Sequence, residues 1–170
     1  MEFTILKIAF LTESFKNRFQ VAQFNAYNVL RYLGDNMKIG VPMEPEGETR
    51  VAIVPGSMKK LQKAGFEVVI ENGAGVSANY SDSDYSAAGA IVSSRADVMS
   101  CEIIISIRIP DTSELSKGQI IACVADPFRH PDKIQACIDG GITLMSMDMI
   151  PRRLSRAQSM DVNSSQDNLA

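Results

Sequence analysis

The chain has 170 residues, 45% of them hydrophobic, enough for one packed core and at most a small appendage. A net charge of −3 gives no electrostatic case for nucleic acid or an anionic membrane, and no stretch approaches the ~20 apolar residues that span a bilayer. Its three cysteines, Cys101, Cys123 and Cys137, lack CxxC spacing, which fits a reducing compartment.

Residues 1–36 differ from the rest in being rich in aromatics, from Phe3 to Tyr32. Ser14 to Leu33 is predicted as a helix with Phe15, Phe19, Ala22, Ala26, Val29, Leu30 and Leu33 near one face. Glu2 and Glu13, and the lack of a long apolar run, argue against a targeting peptide. Met37 reads as a fresh start, so 1–36 is expected to be an extension from a misassigned start codon or a foreign leader. A partner-binding helix is the alternative.

Met37 to Pro42 reads as a short buried strand ended by proline. A polar loop, Glu44 to Thr49, leads to Arg50-Val51-Ala52. Pro55 suits the first turn of a helix in which Met58, Leu61 and Ala64 recur, and Gly65 stops it. Phe66 to Ile70 is a second strand, which makes a parallel crossover unit. Asp84 to Ala88 is a short helix closed by Gly89, and Ala90 to Val92 a brief strand. Ser93 or Ser94 caps a helical turn through Val98. Glu102 to Ile107 is β-branched without alternation, as in a strand covered on both faces, and places Arg108 at the carboxyl end of the sheet. Ile120 to Val124 is the next strand, Pro131 to Ile138 a helix ended by Gly140-Gly141, and Ile142 to Met149 the last strand. Met145, Met147 and Met149 alternate along it and are expected to pack into the core. The elements make an open, doubly wound, mostly parallel α/β sheet of five or six strands, Rossmann- or flavodoxin-like, over residues 37–150.

Gly73-Ala74-Gly75-Val76-Ser77-Ala78 fits G-x-G-x-x-A after a strand. A dinucleotide fingerprint runs straight into a helix whose N-terminus holds the pyrophosphate. Here Asn79, Ser81 and Asp82 delay the helix, Ser81-x-x-Asp84 looks like its cap, and the expected reading is a glycine turn. His130 lies midway between Cys123 and Cys137, but strand, loop and helix positions with no fourth ligand favour buried thiols and a surface histidine, and no metal site.

Residues 151–170 carry three arginines, Gln158, Asp161 and several serines directly after the last strand. Polar groups past a strand's carboxyl end face the ligand crevice in such folds, and arginine offers a rigid donor fork. The run Pro151-Arg152-Arg153-Leu154-Ser155-Arg156-Ala157-Gln158-Ser159-Met160-Asp161-Val162-Asn163-Ser164-Ser165-Gln166 resembles a loop of the NAD(H)-binding component, within the alpha subunit, of proton-translocating NAD(P) transhydrogenases. From Met37 to Ala170 the chain is similar to the N-terminal domain shared by that subunit and alanine dehydrogenase. Lys38-Ile39-Gly40-Val41-Pro42, Arg50-Val51-Ala52 with Pro55, Gly73-Ala74-Gly75, Ala87-Ala88-Gly89-Ala90, and Arg108 with Pro110 also carry the likeness.

The resemblance implies that the closing loop reaches over the nicotinamide of NAD(H), with Gln158, Asp161 and Ser164 as contacts. The fourth contact is Arg153, or Arg152 when counted forward from Pro151. No residue acts as a general acid or base. Arg50 and Arg108 match the positions that hold the oxo-acid carboxylate in alanine dehydrogenases, although lysine is usual at the second. The position of their catalytic histidine is Asp126 here, which favours the transhydrogenase branch. Asn163 and Asp167 depart from an expected leucine and alanine. The implied enzyme moves hydride between NADH and NADP+, coupled to proton translocation. It has a NAD-binding Rossmann domain beyond this one, NADP(H) on a partner component and a membrane-embedded component. It is a homodimer at the inner face of the membrane. The chain is expected to be truncated before the second domain and inactive alone. The alternatives are an alanine dehydrogenase-like oxidoreductase and a non-enzymatic accessory domain.

Overall fold

The computed structural model describes residues 37–150, together with two short strands, Leu6–Lys7 and Gln23–Phe24, that pair antiparallel. Gln23 and Phe24 fall inside the span expected as helix but are extended, because they pair across to Leu6 and Lys7. The rest of 14–33 lies outside the described residues.

Six parallel strands form the main sheet: β1 (Lys38–Val41), β2 (Glu67–Glu71), β3 (Ile91–Ser93), β4 (Ile103–Arg108), β5 (Ile120–Val124) and β6 (Thr143–Ser146). Their spatial order is β3-β2-β1-β4-β5-β6. Each connection must return the chain to the starting end of another parallel strand, and four of the five use a helix. These are α1 (Met58–Lys63), α2 (Asp82–Ala87), α3 (Arg95–Met99) and α4 (Pro131–Asp139); β4 reaches β5 through a 3-10 turn at Thr112–Glu114.

The sheet is covered on both faces. Because successive side chains point to opposite sides, β2 sends Val68 and Ile70 to one core and Val69 to the other. The first core gathers Met58 of α1 and Tyr85 of α2 with Ile39 and Val41 of β1. The second gathers Val98 of α3 and Cys137 of α4 with Ile104, Ile121 and Leu144. The unbroken isoleucine run of β4 follows from this: Ile104 faces the second core, while Ile103 and Ile105 pack against the first.

Local chemistry sets the ends. Gly65, Gly89 and Gly141 take positive φ just past α1, α2 and α4. Ser81 and Asp84 form a reciprocal capping box at α2, and Ser94 caps α3 by accepting from Asp97 N. The glycine turn after β2 is followed by a 3-10 turn at Val76–Ala78, not by a helix. Gly75 is required there because a Cβ would lie 2.5 Å from the Tyr85 ring. The tyrosine is fully buried and donates to Ile53 O at 2.9 Å.

The last strand corrects one expectation. It ends at Ser146 rather than Met149, because Met147–Met149 turns as a 3-10 segment. Met145, Met147 and Met149 are half-buried and lie outside both cores. Ile142 and Leu144 provide the buried face, against α4, and β6 is an edge strand.

Candidate functional site

The neighbours β1 and β4 stand at the middle of the order, and the chain leaves them toward opposite edges of the sheet. β1 continues to β2, while β4 continues to β5. The two outgoing connections part there and leave a crevice at the carboxyl ends. A cavity of about 820 Å³ fills this place, lined among others by Glu44, Arg95, Arg108, Asp126, His130 and Lys133.

Parallel strands that end unevenly leave backbone N–H groups without strand partners, and carboxylates take them here. Glu44, two residues beyond Pro42, accepts from Ile107 N at 2.5 Å and Arg108 N at 3.0 Å. Those amides sit at a bulge where β4 advances three residues, from Ile105 to Arg108, against two on β5, from Ala122 to Val124. Burial pushes the Glu44 carboxyl up, and the two backbone donors oppose that push. Glu71, the last residue of β2, accepts from Met43 N at 2.7 Å and pairs with Arg95 at 3.1 Å. Asp148 accepts from Ala125 N at 3.2 Å and Asp126 N at 3.0 Å, and Ser146 Oγ donates to it at 2.6 Å. Three carboxylates, from a loop, a strand end and a turn, thus extend the strand pairing past its backbone register on the crevice side.

The two arginines singled out by sequence meet at a third residue. Arg50 donates from Nε and Nη2 to Glu48 Oε1 and Oε2 at 2.7 and 2.8 Å, a two-pronged pair. Arg108 Nε reaches Glu48 Oε2 at 3.2 Å. The Glu48 side chain is only 9% exposed, against 46% and 52% for the two arginines. Donation from Arg50 holds the Glu48 carboxyl down to about 2, from an ordinary 4.5. Arg108 lines the cavity; Arg50 does not, and supports it through Glu48.

Asp126 follows β5 at φ 42, in the left-handed region that side chains rarely adopt, and it also lines the cavity. Its carboxylate lies 3.4 Å from Arg129 Nε. His130 is exposed, while Cys101, Cys123 and Cys137 are buried free thiols. Among the described residues no group of three His, Cys, Asp or Glu side chains is gathered to hold a metal ion. Arg152, Arg153, Gln158, Asp161 and Ser164 lie outside the described residues. The sequence reading missed Glu44, Glu48, Glu71 and Asp148. Each is an acid within or beside a loop or strand end, and only the three-dimensional pairing of strand ends reveals what it holds.

A doubly wound α/β domain with a ligand-sized crevice at its switch point is the class that fold and site define. The family model for the alanine dehydrogenase/PNT N-terminal domain matches residues 40–170, and the chain belongs to this family. The NAD(P) transhydrogenase subunit alpha of Cereibacter sphaeroides is 43% identical over 140 residues, covering 79% of this chain and 27% of that protein. The crystal structure of transhydrogenase from Sinorhizobium meliloti superposes with a TM-score of 0.73 at 38% identity, covering 78% of this chain and 41% of the other. Alanine dehydrogenase of Bacillus subtilis is more distant, 30% identical over 119 residues, covering 67% of this chain and 32% of that enzyme. The chain therefore spans well under half the length of these relatives.

Proposed function

We propose that residues 37–150 form the first domain of the NAD(H)-binding component of a proton-translocating NAD(P) transhydrogenase, and that 151–170 is its nicotinamide-contacting stretch. The observation that carries this reading is the switch-point crevice, together with the point where the chain leaves the sheet. The stretch follows the Met147–Met149 turn after β6, and Asp148 in that turn accepts from the N–H of the cavity-lining Asp126.

The donor set fits the nicotinamide end of NAD(H). The Gln158 amide can both donate to and accept from a carboxamide, and Asp161 pairs with Arg153 (or Arg152) to fix the ring side. Ser164 adds a hydroxyl contact. When bound, the cofactor supplies the hydride, and the protein sets distance and orientation. None of these groups needs to move a proton, since hydride transfer depends on alignment. Arg108 gives the crevice a cation, and Glu48 holds its Nε. A following NAD-binding domain forms the opposite wall, and a partner component carries NADP(H). The complete enzyme is a dimer held at the inner face of the membrane by its partner subunits. No helix among the described residues is long and apolar enough to cross a membrane.

In the complete enzyme, Gln158→Ala is expected to slow hydride transfer from NADH to NADP+ by about 10-fold or more while changing NADH affinity little. An unaltered transfer rate in single-turnover measurements would count against the assignment.

A further inference from the structure

The turn after β2 carries a pair of residues that the crevice does not use, Asn72-Gly73. Asparagine followed by glycine is the pair at which a chain modifies itself most readily. The glycine amide nitrogen attacks the asparagine side-chain Cγ, and the missing Cβ leaves that approach open. The new N–Cγ bond closes a succinimide ring. The Cγ–Nδ2 bond breaks, and ammonia leaves with the proton that the glycine nitrogen gives up. Water then opens the ring at either carbonyl. The product is aspartate, or isoaspartate when the main chain runs on through the former side chain.

Asn72 is exposed, so water reaches the pair. The backbone geometry opposes the reaction. Ala74 N donates to Glu71 O at 3.0 Å, with Gly73 at φ 78 and Asn72 outside the left-handed region. This is the pattern of a type II turn, in which the residue before the glycine has ψ of about +120°. At that angle the Asn72 Cβ is turned away from Gly73 N, whereas ring closure needs the two nearly eclipsed about the Cα–C bond. Asn72 N is tied as well, donating to Ser93 O at 3.0 Å. The attacking nitrogen is itself engaged: Gly73 N donates to Asp82 Oδ1 at 2.9 Å. Asp82 is the first residue of α2, a helix anchored by the fully buried Tyr85. The pair is therefore open to water, while one carboxylate from the next helix withholds its nucleophile.

We propose that Asn72-Gly73 is a site of spontaneous deamidation whose rate is set by Asp82. The fold keeps the reaction slow, and it proceeds only when the hydrogen bond from Gly73 N to Asp82 opens. The product puts a new carboxylate next to Glu71, whose side chain holds Met43 N and Arg95 at the crevice wall. Isoaspartate also adds a carbon to the main chain inside the turn that Glu71 O and Ala74 N close. The modification thus records how often the carboxyl end of β2 opens.

The test follows the 170-residue chain in mildly alkaline buffer, with a synthetic peptide of residues 68–77 as the open reference. Peptide mapping by mass spectrometry locates a gain of one mass unit at residue 72, and isoaspartyl methyltransferase labels the isoaspartate. The native chain is expected to react at least about 10-fold more slowly than the peptide. Asp82→Ala is expected to react about 3-fold or more faster than the native chain. Asp82→Asn, which keeps an acceptor oxygen, is expected to stay within about 2-fold of native. Should Asp82→Ala not fold, hydrogen exchange at the Gly73 amide of the native chain takes its place: slow exchange that rises together with deamidation as denaturant is added supports the proposal. A native chain that reacts as fast as the peptide overturns it. So does an Asp82→Ala chain no faster than native, an Asp82→Asn chain as fast as Asp82→Ala, or a Gly73 amide that exchanges at the unprotected rate. Absence of product at residue 72 in both the native chain and Asp82→Ala, while the peptide converts, also overturns it.

Discussion

Glu48 shows how one side chain can organise a corner of the crevice. Its side chain is largely covered between two half-exposed arginines, and its charge is stabilised by donation from Arg50. A carboxyl lowered in the folded state adds stability above its unfolded value, and that stability is lost as pH falls through the folded value. Glu48 therefore contributes fully above about pH 4.5, and its contribution fades as pH falls toward about 2. Thermal midpoints of Glu48→Gln across this window are expected to fall less steeply than those of the native chain. Parallel curves would contradict the pairing. Glu114, also lowered by Arg95, accounts for part of the remaining slope. At the same scale, burial pushes the Cys101 thiol up to about 11 and Cys123 up to about 12, and raises Cys137. All three cysteines are expected to resist alkylation at neutral pH until the chain unfolds. Rapid labelling of the folded chain, followed by mass spectrometry, would show the burial to be wrong.

Between elements, the backbones approach closely where α3 crosses β1. A Cβ on Gly40 would come within 2.3 Å of Val98 O and 3.0 Å of Ile104 Cδ1. The backbone of α3 cannot yield without moving Val98 out of the core, so Gly40→Ala is expected to destabilise the chain by about 1–3 kcal/mol. Denaturant unfolding would measure it, and a neutral result would mean that α3 sits farther from the sheet. Most elements were legible from sequence because their signals are local. Ile120 to Val124 is marked by β-branched residues between turn formers, and the Ser81 and Asp84 pair by spacing alone. The last strand was read three residues too long because alternation of Met145, Met147 and Met149 continues through the 3-10 turn. Alternation reports spacing along the chain, and whether a covering helix is present is a tertiary fact. The carboxylates Glu44, Glu71 and Asp148 were illegible for the same reason. Their partners are amides on or just past other strands, up to 64 residues away for Glu44 and Arg108.

For the whole molecule, the strand order and the crevice follow from connectivity. β1 and β4 are central, and their connections diverge around the cavity. Arg108 was placed correctly at the carboxyl end of the sheet from its position before Pro110, and Arg50 joins it only through Glu48. Membership of the alanine dehydrogenase/PNT N-terminal domain family leaves two chemistries to separate, hydride to a second nicotinamide or reductive amination of an oxo acid. The resemblance puts Asp126 at the position of the alanine dehydrogenases' catalytic histidine, and this carboxylate, which lines the crevice, is the residue that favours the first chemistry. The most direct measurement is NADH oxidation by the complete protein that contains this domain, together with its NADP-binding partner, offered an NADP+ analogue or pyruvate with ammonia. The account predicts turnover with the NADP+ analogue and none with pyruvate; oxidation driven by pyruvate and ammonia alone would contradict it.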